Sequence, residues 1–194
     1  MFIEYQGRTP RVAASAFIAP TAVLIGDVVV GGESSIWFGV VLRADRGSIH
    51  IGARSSVEDN AVVHAGEHRT TVIGDDVTVG HCAVLDDCTV ENNALIGSNA
   101  VVLDGACVGE STVVAAGSVV VVDGRVEARS VAAGAPAKVH KALAGRAAEW
   151  IAHSSKETLE QAHSYRRDGI GDPLHHETKT TQRRKHAPPI VTSG

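Results

Sequence analysis

Between Glu58 and Asp87 the chain gathers the side chains best able to bind a metal or move a proton: Glu58, Asp59, His64, His68, His81, Asp86 and Asp87. Imidazole nitrogens and carboxylate oxygens are the common ligands of zinc-type ions, and neighbouring carboxylates raise one another's pKa into a range useful for acid-base work. Each of these residues also has an ordinary role. An isolated histidine on a turn is commonly solvated or hydrogen-bonded, and aspartates such as Asp86 and Asp87 close tight corners by bonding nearby backbone. Which role applies depends on the elements that position them.

Those elements follow from a repeat. Aliphatic residues recur at Ile25, Val30, Ile36 and Leu42, at Ile51, Val57 and Val63, and then at Ile73, Val79, Val84, Val90, Ile96, Val102, Val108, Val114 and Val120, with most intervals being six. Glycine often follows, as at Gly80 and Gly97, and a small residue such as Ala94, Ala100, Ala106, Thr112 or Ser118 stands two positions earlier. A helix repeats its apolar face every three or four residues and an amphipathic strand every two, so neither yields a six. Six residues suit one short strand and a corner. Three such units close a triangular coil, and stacked coils pair their strands in parallel about 4.8 Å apart. The expected fold class is therefore mainly β: a parallel β-helix of hexapeptide repeats.

This register places the chemistry. The steps Val63, Ile73, Val79 and Val84 complete one coil if residues 64–72 form a bulged loop, so His64 and Asp86 share a face of adjacent coils. His81 falls on the preceding face, about a third of a turn away. One ion with ligand bonds of about 2 Å could not reach all three within one subunit. A threefold trimer, which sets one face of each prism against the next face of its neighbour, would bring them together at subunit interfaces. His68 is an alternative ligand if its loop folds inward.

The rhythm stops after Val122, and the stretch from about Ala142 to Tyr165, with Leu143, Ala147, Trp150, Ile151, Leu159 and Ala162, reads as one or two amphipathic helices. The expected organisation is a β-helix over 1–135, a helical segment over 136–168 and a disordered tail over 169–194, in which His175 and His176 are solvated. A net charge of −4 without a long basic run argues against nucleic acid as a partner. No apolar run reaches the length of about eighteen residues that suggests a membrane span, and the N-terminus lacks the pattern of a secretory signal. Three cysteines make no paired framework and fit a reducing compartment, so the cytoplasm is the expected location.

The segments IGDVVVGGESSIWFGVVLRAD, SSVEDNAVVH, IGDDVTVGH, ALIGSNAVVLDGACV and GAPAKV resemble a gamma-class carbonic anhydrase-like protein over roughly residues 10 to 165. The resemblance implies a left-handed β-helix, a sense that spacing alone does not supply, with a C-terminal α-helix packed alongside. It further implies a homotrimer with zinc-type sites at its interfaces, Arg43 and Asp45 as an ion-pairing set between subunits, and Asp59 as the acidic residue beside the site. His64 and His81 match two of the family's three metal-binding histidines, and Asp86 stands in place of the third. Glu58 replaces the family's usual glutamine, and Thr158 stands where its C-terminal helix often carries a tyrosine.

Two histidines and one acid are a known catalytic metal set, but an added negative charge makes ion-bound water less acidic. The leading expectation is a metal-dependent hydratase or hydrolase acting on a small molecule, carbon dioxide, bicarbonate or a small acyl thioester. His64, His81 and Asp86 would hold a divalent ion, zinc by resemblance, with Glu58, Asp59 and Asp87 handling protons. A metal-free acid-base enzyme, a non-catalytic ligand-binding or structural trimer and, more weakly, an acyltransferase of the same fold are the alternatives.

Overall fold

The computed structural model describes residues 1–171, so nearly all of the tail reading, including His175 and His176, lies outside the described residues. The chain winds into a left-handed parallel β-helix of about seven coils and ends in one helix. Successive coils stack in register, as Val41, Val62, Val84, Val101 and Val119 show on one face.

Each interior edge is a ladder of aliphatics. Leu42, Val63, Leu85, Val102 and Val120 form one, and Ile36, Val57, Val79, Ile96 and Val114 another, all buried. Burying one such side chain stabilises by about 1.5–3 kcal/mol. Small residues fill the narrow space between ladders, and where these are Ser34 and Ser55 their hydroxyls donate to the carbonyls of Gly52 and Gly74.

The six-residue reading needs three corrections. Leu85 and Leu24 point inward, while Val84 and Ile25 are only partly buried: the interior residues keep the six-residue count from Val79 and Val30, and the five-residue intervals that pick out Val84 and Ile25 depart from it. The coil also continues past Val122: Val126 and Ala132, each six residues on, extend the interior ladders. Polar residues around them, Arg125, Glu127 and Arg129, obscured that pattern. Finally, Lys138–Ala142 is a strand that pairs antiparallel with Ser130–Ala133, and the helical segment is the single helix α1, Arg146–Arg167.

Helix α1 lies along one face of the prism. Ile151 packs with Leu95 and Val113 near one end, and Ala162 and Tyr165 pack with Phe17, Trp37 and Phe38 near the other. The Arg166 guanidinium donates to the carbonyls of Ser15 and Ala14, tying the helix to the first coils. No helix among the described residues is long and apolar enough to cross a membrane.

Candidate metal and acid-base site

One corner of the prism carries the first half of the site. Successive backbone bonds from Asn60 to Phe38, Cys82 to Asp59, Asn99 to His81 and Gly117 to Ser98 stack this corner coil upon coil. Asn60, Cys82 and Asn99 each have φ near +60°, the left-handed conformation that turns the chain sharply. The residue before each is thrown outward, so Phe38, Asp59, His81 and Ser98 form a column. Asp59 and His81 are therefore vertical neighbours, with Asp59 Oδ2 lying 3.3 Å from His81 Nδ1. The other Asp59 oxygen accepts the Phe38 N–H at 3.0 Å.

Glu58 joins them from the adjoining strand. Among the described residues, Glu58, Asp59 and His81 are the group of three donors whose ligand atoms all fall within 4.8 Å of one another. Burial pushes the Glu58 carboxyl above its usual range, against the opposing hydrogen bond from the Ser56 hydroxyl.

The second half lies on the next face. Arg43, His64 and Asp86 stand in register on three stacked strands. His64 Nδ1 lies 2.7 Å from Asp86 Oδ1, and Arg43 pairs with Asp45 at 2.9 Å within the same chain. Burial acts to raise the Asp45 carboxyl, but the hydrogen bond and charge of Arg43 prevail and hold it below the ordinary value.

The structure thus joins His64 to Asp86 and His81 to Asp59, and leaves the two pairs separate in one chain, as the spacing predicts. Both pairs use imidazole Nδ1. On His81 the Asp59 carboxylate leaves Nε2 for an ion, the usual outer support of a metal-binding histidine, whereas His64 Nδ1 and Asp86 Oδ1 are close enough to serve as two ligands of one ion. This donor chemistry fits a divalent metal.

Two expected residues take other places. His68 does not fold inward: its side chain is 89% exposed, with Nε2 3.8 Å from a Glu67 oxygen. Its backbone, at φ 58°, forms a loop tip that projects it outward. Asp87 occupies a different corner, where its carboxylate accepts the Gly66 N–H at 2.7 Å.

Apart from Thr158, sequence reasoning missed the wall that α1 adds. Trp150, Ser154, Glu157, Thr158, Gln161 and Tyr165 border a cavity of about 550 Å³ together with Glu58, Asp59 and His81. Their three- and four-residue spacing was the available signal.

Residues 87–121 match the family described as "Bacterial transferase hexapeptide (six repeats)". Over 186 residues the chain is 38% identical to gamma carbonic anhydrase 2, mitochondrial, of Arabidopsis thaliana, covering 93% of this chain and 67% of that protein. It is 43% identical over 104 residues to a carbonic anhydrase of Geobacillus kaustophilus, covering 54% of this chain but only 57% of that one. Among solved structures, a hexapeptide transferase family protein from Anaplasma phagocytophilum aligns with a TM-score of 0.82 at 37% identity, covering 85% of this chain and 98% of its own.

Proposed function

Because the chain belongs to the gamma carbonic anhydrase family of hexapeptide-repeat proteins, we propose that it is a metal-dependent hydratase or hydrolase with a remodelled ligand set. The observation that carries this reading is the meeting of His64 with Asp86, two donor atoms 2.7 Å apart, together with the Asp59 carboxylate that supports His81. The ion would be held by His64 and Asp86 of one subunit and His81 of the next, in a homotrimer. An exterior ladder of valines, Val41, Val62, Val84, Val101 and Val119, supports that assembly, since it runs along the face that presents His64 and Asp86. Val62 is 37% exposed in the isolated chain, and a neighbour packed there would cover it.

The chemistry that such an ion supplies when bound is acidification of water and polarisation of a carbonyl oxygen. Asp59 positions His81 through Nδ1 and is itself fixed by the Phe38 amide. Glu58, whose carboxyl burial raises above its ordinary range, stands beside them as the residue placed to hold and deliver a proton. Asp87, engaged by the Gly66 amide, contributes to catalysis only by holding its corner. The Asp86 charge works against carbon dioxide hydration and favours an activated carbonyl such as a small acyl thioester. The free Cys82, Cys88 and Cys107 fit a reducing compartment such as the cytoplasm.

Metal analysis of the purified protein tests this. The expectation is about one divalent ion per subunit, zinc first among candidates, with strong loss in His64→Ala, His81→Ala and Asp86→Ala. Protein that retains no ion after incubation with zinc, cobalt or iron would remove the proposal. One observation favours a second reading, metal-free acid-base catalysis: Glu58, Asp59 and His81 meet within a single chain. Activity that survives complete chelation would select it.

A further inference from the structure

The cavity beneath α1 has a cause in one column of residues. Backbone bonds place Trp37, Glu58, Gly80, Gly97 and Ala115 one above another. Below Glu58 this wall loses its side chains, and it cannot regain them cheaply: a Cβ at Gly80 would lie 2.6 Å from the Ser98 nitrogen, and one at Gly97 would lie 2.4 Å from that of Ala116. Helix α1 does not sink into the space, because Tyr165 rests on Trp37 at one end and Ile151 rests on Leu95 and Val113 at the other. The result is a trough of about 550 Å³. That size accommodates an organic ligand and far exceeds what a triatomic molecule needs.

Two properties of the lining define the ligand. Its fixed charges have one sign: Glu58, Asp59 and Glu157 are present, the one titratable base in the lining is His81, which Asp59 engages, and among the described residues neither lysine nor arginine lines it. Its walls are apolar and aromatic, with Leu95, Val113 and Trp150 towards one end and Trp37, Phe38 and Tyr165 towards the other. An anionic ligand would meet three carboxylates without a fixed countercharge. A neutral ligand would leave them unused. An ammonium group gains from the carboxylates and from aromatic rings, while a hydrocarbon arm gains from the apolar end.

We propose that this trough is a binding site for an organic ammonium cation carrying an apolar arm, an aliphatic amine or quaternary ammonium of roughly five to ten heavy atoms. The site goes beyond the hydration reading and stands without it.

Calorimetric titration of the full chain with n-hexylammonium, n-hexanol and hexanoate tests the proposal. Hexylammonium is expected to bind at least about tenfold more tightly than the other two. Glu58→Gln combined with Glu157→Gln should bring it within about twofold of hexanol, and about 1 M salt should weaken its advantage. Thr158→Trp should abolish binding by filling the trough; the wild-type hydroxyl is bonded to the carbonyls of Ser154 and Ser155 in its own helix, so the replacement removes no tie to the β-helix. Equal or tighter binding of hexanoate or hexanol overturns the proposal, as does lack of saturation by hexylammonium up to about 10 mM. Unchanged binding in Thr158→Trp with native circular dichroism does the same. Protein that carries no metal yet binds hexylammonium ends the hydratase reading and leaves this one intact.

Discussion

Glu58 shows how one residue's surroundings set a measurable property. A carboxyl whose folded pKa exceeds its unfolded value binds protons more tightly in the folded state. Its contribution to stability is therefore complete below the ordinary carboxylate range and is lost as pH rises through the folded value. Glu58→Gln, uncharged throughout and still able to accept from Ser56, is expected to melt higher than wild type above that window and without advantage below it. Melting curves of metal-free protein across pH check this, and parallel profiles would refute it. Cys88 offers a second test. Burial pushes its thiol up to about 12, with the Asp86 and Asp87 charges adding to the effect. It should resist alkylation at about pH 8 in the native protein and react once denatured, as peptide mass spectrometry would reveal.

At the scale of the element, a coil is held by what its short strands send inward. Leu85 is fully buried between Val63 and Val102, whereas its neighbour Val84 faces outward. Leu85→Ala should cost about 2–5 kcal/mol, measured by chemical denaturation, and clearly more than Val84→Ala. The reverse order would mean that the strand register is off by one. The same register makes His64 and Asp86 partners, because each follows its inward residue by one position. Counting in sixes from Val79 reaches Leu85, whereas the aliphatic rhythm through Val84 places Asp86 on the right face but two positions, not one, past its inward residue.

For the molecule as a whole, the outward valine ladder and the proposed division of the ligand set point the same way, to a second copy against that face. Val101→Glu would place a charge within the ladder while leaving the interior ladder intact. The expected outcome is a shift from trimer to monomer in sedimentation, together with loss of bound metal. A trimer that persists with its metal would show that assembly uses another surface.

Sequence alone determined the coil, because a hexapeptide period is local and repeats often enough to average out its irregular members. It also determined that His81 cannot join His64 and Asp86 in one chain, since the face of each residue follows from its position in that period. Its aliphatic rhythm faded before Val126 and Ala132, where polar neighbours diluted the signal, although the expected β-helix over 1–135 includes both. Only the tertiary structure decided that Asp59 holds His81, that Glu58 is half-buried beside Ser56, and that α1 roofs a trough floored by Gly80 and Gly97. Those contacts join residues far apart in the chain, such as Thr78 with Ser154 and Trp37 with Tyr165. They depend on where a helix comes to rest, and no local repeat encodes that.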